Sequence, residues 1–318
     1  MKAAIINQFG NPDVFEIKDI KKPILNTDQL LIKVKAVSIN AIDWKQRKGN
    51  HKLILGSPFP IILGYDVCGE VVEVGSEIKK FKIGDEVFGA LDNKYGGALA
   101  EFAVGHENCF AIKPENISPE EAAAYPMVSL TSLQALRDIA NLKEGQTVLI
   151  NGASGGVGHV VLQNAKLMKA KVIAVASSNS KSFVEEFKPD LFIDYKQNDI
   201  LKLGEKVDVF FDVFGNYTFP KTKYLLKPGG VYVNLNYINS LTKMPVNKFH
   251  QLFSKGKKAK TLLMKHESAD LEIIANWIKE NKLKISIDKI FQLEQISEAH
   301  EYAQQGHNKG KNVVVISK

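Results

Sequence analysis

Five short, continuously apolar segments in the second half of the sequence constrain the fold more than any other feature. They alternate with segments that are typical of helices. Strands that are apolar on both faces belong to parallel sheets covered by helices on both sides. The alternation therefore predicts an α/β fold with a doubly wound sheet. The predicted strands are Thr147–Asn151, Lys171–Ala176, Leu191–Asp194, Asp208–Val213 and Val231–Leu235.

The chain up to about residue 120 has a different pattern. Runs such as Leu30–Val37 and Gly69–Val74 alternate apolar and polar residues with a period of two, and turn signals separate them. This pattern predicts a small antiparallel barrel or sandwich. Ser118–Glu121 then has the N-cap residue, the proline and the acids of a helix start. Further on, Ala269–Lys282 has a helical apolar face, and Lys311–Ile316 is a predicted strand.

The positive charge of the chain is not of the kind that nucleic-acid-binding proteins use. The net charge is +7, but Arg47 and Arg137 are the only arginines, so lysine supplies nearly all of the positive charge. Base readout and bidentate phosphate recognition favour arginine. The densest basic run, Lys255–Lys260, contains no aromatic residue. We therefore expect this run to be a solvated surface, and we do not expect nucleic-acid binding.

The cysteine content and the hydropathy exclude disulfide-rich, cysteine-zinc and membrane-spanning classes of protein. Cys68 and Cys109 are the only cysteines and are far apart in sequence, which excludes a disulfide framework and a cysteine-rich zinc site. No segment approaches the roughly 18 consecutive apolar residues of a membrane span. Met1–Ile6 is a predicted strand and does not resemble a signal peptide. We expect a cytoplasmic protein with no membrane partner.

The stretch NGASGGVG, Asn151–Gly158, lies between a predicted strand and the predicted helix His159–Lys169. Strand, glycine turn and helix in this order are the context of a dinucleotide-binding fingerprint. We expect Gly155 to adopt backbone angles closed to other residues and to let a pyrophosphate approach the amides. We expect Gly158 to let the helix pack tightly on the sheet. Free N–H groups at the helix start would bind the phosphates.

Two alternatives to a dinucleotide site concern the same turn. The usual pattern is G-x-G-x-x-G, and Ala153 stands where that pattern has its first glycine. A tight turn without a ligand therefore stays open as an alternative. A P-loop does not fit, because His159 follows Gly158 where a P-loop has lysine.

The residues after the second predicted strand favour NADPH over NADH. NAD-binding proteins usually carry a carboxylate at this point, which binds the ribose hydroxyls. Ala176–Lys181 (ASSNSK) contains no acid. A carboxylate would repel the 2′-phosphate of NADP, whereas serines and Lys181 would attract it. The alternative for Lys181 is a solvent-facing lysine at a helix start.

Several further motifs occur in a fixed order along nearly the whole chain. They are Asn40-x-x-Asp43-x-x-x-Arg47-x-Gly49, Ile62–Asp66 leading into Gly69–Val72, Leu130–Leu136, the glycine turn, Leu226–Gly230, and Ala299-His300 through Gly310-Lys311. Together they resemble the medium-chain dehydrogenase/reductase superfamily, and most of all its zinc-independent quinone oxidoreductase branch. The resemblance implies a GroES-like β-barrel catalytic domain of residues 1–122 and 265–318. It also implies a Rossmann domain of residues 123–264, an active site in the cleft, and a homodimer formed through the edge of the Rossmann sheet.

The resemblance also bears on zinc. Zinc-dependent relatives place the metal on a cysteine near the position of Asn40 and on a histidine at the position of Tyr65. Neither residue of this chain can give zinc a thiolate or an imidazole. Gly89–Glu101, where such relatives carry four cysteines, has none, and His51 and His106 are lone histidines. We therefore expect no metal. We expect the substrate to be an acceptor that takes a hydride without the help of a Lewis acid, which is a quinone or the C=C of an α,β-unsaturated carbonyl.

The resemblance assigns residues to a catalytic centre and to NADPH. Asn40, Tyr65 and Thr131 form the expected catalytic centre, with Asn40 and Thr131 near the nicotinamide. Tyr65 is a candidate acid for a developing enolate, and packing under the cofactor is the alternative. Asp43 and Arg47 are expected to form an ion pair. The other expected NADPH contacts are Gly152, Ser154, Gly155, Gly156, Val157, Gly158, Ser177, Lys181, Tyr195, Phe214 and Gly215.

Two other functions stay open at this point. One is enoyl-thioester reduction, in which the lysines of Lys255–Lys260 would meet the phosphates of a carrier arm. The other is a non-catalytic NADPH-binding protein, including one that binds RNA, which the basic charge would permit.

Overall fold

Separate hydrophobic cores divide the chain into two units. The computed structural model describes residues 1–235, 247, 250–252, 254–306 and 308–317. One unit consists of Met1–Leu130 and His266–Lys318, and the other consists of Thr131–Lys265. The core of the first unit gathers residues from Ala4 to Val314, whereas the cores of the second lie between Ala135 and Val233.

The first unit is built on a seven-stranded sheet and a smaller three-stranded sheet. The last strand of the chain pairs antiparallel with the long strand Gln29–Ile39, with Asn312 opposite Ile39 and Val315 opposite Ala36. The C-terminal segment therefore completes the sheet that the N-terminal segment begins. The strands are β1 (Lys2–Ile6), β2 (Phe15–Asp19), β3 (Gln29–Ile39), β4 (Ile61–Ile62), β5 (Asp66–Val74), β6 (Glu86–Ala90), β7 (Phe102–His106), β8 (Phe110–Ile112), β15 (Ile287–Gln292) and β16 (Lys311–Val315).

The helices of the first unit begin where the sequence provides caps. Ser118 caps α3, because its hydroxyl accepts a hydrogen bond from the N–H of Glu121 (3.2 Å) and its own N–H donates to the Glu121 carboxylate (2.9 Å). The predicted helix start at Ser118 is confirmed. The helices are α1 (Ala41–Arg47), α2 (Lys52–Leu55), α3 (Pro119–Ala124), α8 (Ser268–Lys279) and α9 (Ile296–Gln304); α4 (Pro126–Gln134) runs across the division between the units.

The second unit contains a six-stranded parallel sheet in the order β11-β10-β9-β12-β13-β14. This order is that of the doubly wound nucleotide-binding fold, so the predicted fold class is confirmed. Three predicted strands match to the residue, while the two later ones begin earlier than predicted. The strands are β9 (Thr147–Asn151), β10 (Lys171–Ala176), β11 (Leu191–Asp194), β12 (Val207–Asp212), β13 (Leu226–Asn234) and β14 (Lys258–Thr261); the helices are α5 (Gly156–Leu167), α6 (Lys181–Glu185) and α7 (Phe219–Thr222).

The basic run Lys255–Lys260 is only partly a solvated surface. Its second half forms β14, which the sequence pattern did not predict. The ammonium of Lys257 donates to the carbonyl of Lys223 (2.7 Å), and that of Lys260 donates to the carbonyl of Ile139 (2.7 Å). Two of these lysines are therefore hydrogen-bonded to the backbone of their own unit.

Residues 123–130, which we expected in the Rossmann domain, lie in the first unit. The Tyr125 hydroxyl donates to the carbonyl of Leu283 (3.2 Å) and accepts from the N–H of Ile285 (3.0 Å). The N–H of Met127 donates to Asp66 (2.8 Å). These hydrogen bonds attach the segment to the first unit.

Among the helices of the described residues, none combines the length and the apolar character that a membrane span requires.

His300 is a fully buried histidine in α9. Its ring packs edge-on against Phe15, with 4.7 Å between the ring centroids. Burial lowers the pKa of His300 to about 3, and the nearby charge of Arg47 contributes to the lowering. The folded protein therefore holds this ring in its neutral form.

We predict that His300→Phe makes the protein less sensitive to acid. The unfolded chain takes up a proton on His300 near its ordinary pKa of 6.5, whereas the folded chain does so only near 3. Wild-type stability therefore falls as the pH drops through this interval. Relative to wild type, the variant should gain about 2 kcal/mol in the free energy of unfolding between about pH 7.5 and about pH 5, as measured by urea denaturation.

Phe15→Leu is the matched control, because it alters the packing of the same ring contact without removing a titrating group. Its effect on the free energy of unfolding should be equal at the two pH values. A His300→Phe effect that is also independent of pH would show that the ring is not held neutral.

Candidate active site

The strand order of the second unit reverses at β9. This strand pairs with β10 on one side and with β12 on the other. In open α/β sheets, ligands bind outside the carboxyl ends of the strands at such a point. Gly152 follows β9, Ser177 follows β10 and Phe214 follows β12, so the predicted cofactor residues surround this edge.

The glycine turn has its unusual backbone at Gly152 and not at Gly155. Gly152 has φ +91°, which side chains disfavour, whereas Gly155 has φ −77° and ψ 175° as the N-cap residue of α5. A Cβ added to Gly155 would meet only the carbonyl oxygen of Gly152, at 3.6 Å. The expectation that Gly155 needs backbone angles closed to other residues is therefore wrong, because the chain reverses three residues earlier.

Gly158 is a position of close packing, but against the glycine turn and not against the sheet as expected. A Cβ there would overlap the carbonyl oxygen of Gly152 and lie 2.8 Å from the Cα of Ala153. The contact is made with the turn itself, so Gly158 lets the first turn of α5 fold back on the backbone that precedes it.

The start of α5 offers hydrogen-bond donors. The helix begins at Gly156, three residues before the predicted start, so Gly156, Val157 and Gly158 form its first turn. The first N–H groups of a helix have no partner within the helix, and they lie at its positive end. Ser154 to Val157 are partly exposed. Partly exposed backbone donors at the positive end of a helix fit a phosphate or a pyrophosphate.

Ser177 and Tyr195 lie at neighbouring strand ends. Ala176 of β10 is in register with Asp194 of β11, and the N–H of Tyr195 donates to the carbonyl of Ala176 (3.2 Å). Lys181 begins α6, and its ammonium lies 3.6 Å from the Glu185 carboxylate, with both side chains about half exposed. Such an exposed pair is weak, so Lys181 is available to a stronger anion.

An acid does lie at this edge, and the sequence analysis missed it. Asp194 ends β11 and is buried, and its Oδ1 accepts from the N–H of Lys196 (2.9 Å). Its Oδ2 has no partner among the described residues. Such an acid is expected directly after β10, whereas Asp194 lies at the end of the neighbouring strand β11.

The loop after β12 is held by Asp212, a second residue that the sequence analysis did not identify. This carboxylate is fully buried. Its Oδ1 accepts from the N–H of Gly215 (3.0 Å) and the side-chain amide of Asn151 (2.8 Å). Its Oδ2 accepts from the N–H of Tyr217 (3.0 Å) and the hydroxyl of Tyr232 (2.9 Å). Asp212 thus joins the ends of β9 and β12 to Tyr232 of β13 and fixes the loop that follows β12.

Phe214 lies beside the glycine turn. Its side chain is 58% exposed, yet its ring covers Gly152 so closely that a Cβ there would lie 2.6 Å from Cε2. Gly215 follows with φ +69°. The structure therefore brings Phe214 and Gly152 together, as a common cofactor contact requires.

In the first unit, Asn40 belongs to a buried polar cluster. It follows β3 directly and is the N-cap residue of α1. Its Oδ1 accepts from the Lys311 ammonium (2.6 Å), and its Nδ2 donates to Asp66 (2.8 Å). Lys311 also lies 3.3 Å from the same oxygen of Asp66. Lys311 was part of a quoted motif, but no role was predicted for it.

Asp43 and Arg47 do not form the expected ion pair. Asp43 accepts from the N–H of Asn40 (2.7 Å), and Arg47 donates to Gln304 (2.8 Å). Helical spacing suggested the pair, but each side chain has a different partner. Burial raises the pKa of Asp43 to about 7; the N–H of Asn40 opposes this shift and the charge of Asp66 adds to it.

The Tyr65 hydroxyl both donates and accepts a hydrogen bond within the protein. It donates to the carbonyl of Lys94 (2.7 Å) and accepts from the side-chain amide of Gln46 (2.6 Å). Burial raises its pKa well above the ordinary value for tyrosine. Thr131, the third residue of the expected catalytic centre, is buried in α4 and belongs to the second unit, whereas Asn40 and Tyr65 belong to the first.

The described residues contain no cluster of three or more His, Cys, Asp or Glu side chains arranged to hold a metal ion. Cys68 and Cys109 are buried and free.

Comparison with known proteins identifies relatives along the whole chain. A family model described as an alcohol dehydrogenase GroES-like domain matches residues 26–115, and one described as a zinc-binding dehydrogenase matches residues 188–314. A chloroplastic quinone-oxidoreductase homolog of Spinacia oleracea is 35% identical over 316 residues, which are 96% of this chain and 95% of that protein.

Two further relatives agree with this family. A chloroplastic NADPH-dependent alkenal/one oxidoreductase of Arabidopsis thaliana is 37% identical over 244 residues, which are 74% of this chain and 62% of that protein. The structure of the quinone oxidoreductase from Coxiella burnetii matches with a TM-score of 0.93 at 34% identity, covering 100% of this chain and 99% of that one. The chain therefore belongs to the medium-chain dehydrogenase/reductase superfamily, and within it to the quinone oxidoreductase-like proteins.

Proposed function

We propose that this protein is an NADPH-dependent oxidoreductase that reduces a quinone or the C=C of an α,β-unsaturated carbonyl without zinc. The observation that carries the proposal is the partly exposed start of α5 at the point where the strand order reverses. The acceptor class is supported by relatives named quinone oxidoreductase and NADPH-dependent alkenal/one oxidoreductase.

The proposed cofactor contacts follow the carboxyl edge of the parallel sheet. NADPH, when bound, supplies the hydride. The first-turn amides of α5 bind the pyrophosphate, and Ser177, Lys181 and Tyr195 bind the 2′-phosphate and its ribose. The loop that Asp212 fixes presents the backbone of Phe214 and Gly215. Asn40 and Thr131 contact the nicotinamide end.

The proposal contains no zinc because of the hydrogen bonds that the side chains of Asn40 and Tyr65 make. Both polar atoms of the Asn40 side chain are hydrogen-bonded to Lys311 and Asp66, and the Tyr65 hydroxyl is bound to Lys94 and Gln46. These positions carry the metal ligands in the zinc-dependent relatives that the motifs resemble. Side chains bound in this way, without a thiolate or an imidazole, suit no zinc ion.

For Tyr65 we favour packing over proton donation. The proton of its hydroxyl is held by the carbonyl of Lys94. Releasing it would break that bond and leave a buried phenolate, which is costly. In this proposal, solvent supplies the proton that completes the reduction.

A cytoplasmic location, a homodimer, and the absence of membrane and nucleic-acid partners stay predictions from the sequence. The relatives described above include chloroplastic proteins.

The decisive experiment follows the loss of reduced-nicotinamide absorbance with NADPH, and separately with NADH, against a quinone panel and an enone panel in EDTA. Turnover with NADPH that survives the chelator supports the proposal, and the better panel identifies the acceptor class. NADPH binding without turnover of either panel would favour an enoyl thioester as the acceptor or a non-catalytic role. Failure to bind either nucleotide would overturn the cofactor site.

We predict that Gly155→Asp weakens NADPH binding at least about tenfold more than Gly155→Asn does. Both side chains suit an N-cap residue, and the ordinary φ and open space at Gly155 accept them. Only aspartate places a negative charge beside the pyrophosphate. Isothermal titration with NADPH measures the two affinities.

Thermal unfolding of the same two variants is the control, and neither should be less stable than wild type. Equal NADPH affinities for Gly155→Asp and Gly155→Asn would show that no phosphate lies at the start of α5.

We predict that Lys181→Ala weakens NADPH binding about tenfold and leaves NADH binding within about twofold of wild type, since only NADPH carries the 2′-phosphate that the ammonium would meet. Nucleotide titrations measure both affinities. Lys166→Ala is the matched control, because Lys166 lies near the far end of α5 and pairs with Asp190 (3.0 Å). Equal losses for the two nucleotides in Lys181→Ala would argue against the 2′-phosphate contact.

A further inference from the structure

Asn40, Asp66 and Lys311 form a closed ring of hydrogen bonds inside the first unit. Lys311 donates to Asn40 Oδ1 (2.6 Å), Asn40 Nδ2 donates to Asp66 Oδ2 (2.8 Å), and Lys311 donates to the same Oδ2 (3.3 Å). Asp66 is fully buried and Lys311 is 3% exposed. A buried charge pair of this kind persists only when its remaining donors and acceptors are also satisfied.

Further hydrogen bonds within the protein hold Lys311 and Asp66 in place. The third N–H of the Lys311 ammonium is directed to the carbonyl of Ile39 (3.3 Å). Asp66 Oδ2 also accepts from the hydroxyl of Ser38 (2.7 Å), and Asp66 Oδ1 accepts from the N–H of Met127 (2.8 Å). All three N–H groups of Lys311 are therefore used within the protein, and both oxygens of Asp66 already accept hydrogen bonds.

The ring fixes which way the Asn40 amide points. The ammonium of Lys311 can only donate, so it requires the oxygen of the amide. The carboxylate of Asp66 can only accept, so it requires the nitrogen. Rotating the amide by half a turn would place two donors together and two acceptors together, and both contacts would be lost.

One polar hydrogen of Asn40 is left over. Its Oδ1 is used by Lys311, one Nδ2–H is used by Asp66, and its backbone N–H donates to Asp43 (2.7 Å). The second Nδ2–H has no protein partner among the described residues. Asn40 as a whole residue is 8% exposed, so it is not completely enclosed by the first unit.

We propose that Lys311 and Asp66 are positioning residues that hold the Asn40 amide in one orientation, so that its second Nδ2–H donates to an acceptor oxygen in the bound complex. This inference rests on the proposed function. The oxygen belongs either to the carbonyl of the reducible substrate or to the nicotinamide end of the cofactor. In both cases, an amide that is free to rotate would present the wrong atom part of the time.

The test is a double-mutant cycle between Lys311→Met and Asn40→Ala. In the wild-type background, Lys311→Met should lower kcat/KM about tenfold. In the Asn40→Ala background it should cause no further loss, because Lys311 acts through Asn40. A loss of equal size in both backgrounds would overturn the proposal, since it would show a general structural role.

The source of the acceptor oxygen is read from the same variants. A loss in kcat/KM with an unchanged Kd for NADPH assigns the oxygen to the substrate. A matching loss in NADPH affinity assigns it to the cofactor.

Lys113→Met is the matched control. Lys113 is also a buried lysine of the first unit, 7% exposed, with its ammonium on the carbonyls of Pro114 (3.1 Å) and Ile117 (2.9 Å). Its removal should leave kcat/KM within about twofold of wild type, whatever its effect on stability. If Lys311→Met fails to fold, Lys311→Met with Asp66→Asn, which removes both charges, replaces it in the cycle.

A second readout does not depend on turnover. The side-chain amide signals of Asn40, identified as those lost in Asn40→Ala, should show one proton protected from solvent exchange and one exchanging fast. In Lys311→Met both protons should exchange fast. If wild type reduces no acceptor, the proposed function fails, and the exchange measurement alone decides whether the ring exists. Equal exchange of both protons in wild type would overturn the ring.

Discussion

The reversal of strand order at β9 is the constraint on which the proposed cofactor site depends. Because β10 and β12 lie on opposite sides of β9, the loops that follow these strands diverge and leave the start of α5 accessible. Asp212 stabilises this edge by accepting hydrogen bonds from the last residue of β9, from the loop after β12 and from a tyrosine of β13. Burying the Asp212 carboxylate costs free energy of desolvation, and the four hydrogen bonds that it accepts offset this cost. These hydrogen bonds hold the strand ends in fixed positions beside the proposed ligand site.

Much of the fold follows from local sequence. The predicted strands of the parallel sheet are present because burial of continuous apolar runs is strongly favoured. Ser118 caps α3 because its hydrogen-bond partner, Glu121, is only three residues away. The functional details are not local. Asp212 meets Asn151 across 61 residues, and Lys311 meets Asp66 across 245. No spacing rule connects such positions. The expected pair of Asp43 and Arg47 does not form, because Asp43 accepts from nearby Asn40 and Arg47 donates to Gln304, 257 residues away.

The glycine turn shows a limit of motif reading. The pattern identified the correct turn but not the glycine that reverses the chain. Gly152 has the positive φ, Gly158 is required by contact, and Gly155 has neither constraint. A motif records which residues occur together. The backbone geometry shows that two glycines of this motif meet different physical demands and that Gly155 meets neither of them.

The pairing of β16 with β3 has a consequence for how the protein is made. The second unit is one continuous stretch, Thr131–Lys265, whereas the first unit needs residues from both ends of the chain. During synthesis the second unit can fold while β3 still lacks its neighbour β16. Lys311 follows the second unit in the chain, so the ring around Asn40 closes only after residues 131–265 have been synthesised. A chain that ended before β16 would lack Lys311, and with it the ring that holds the Asn40 amide.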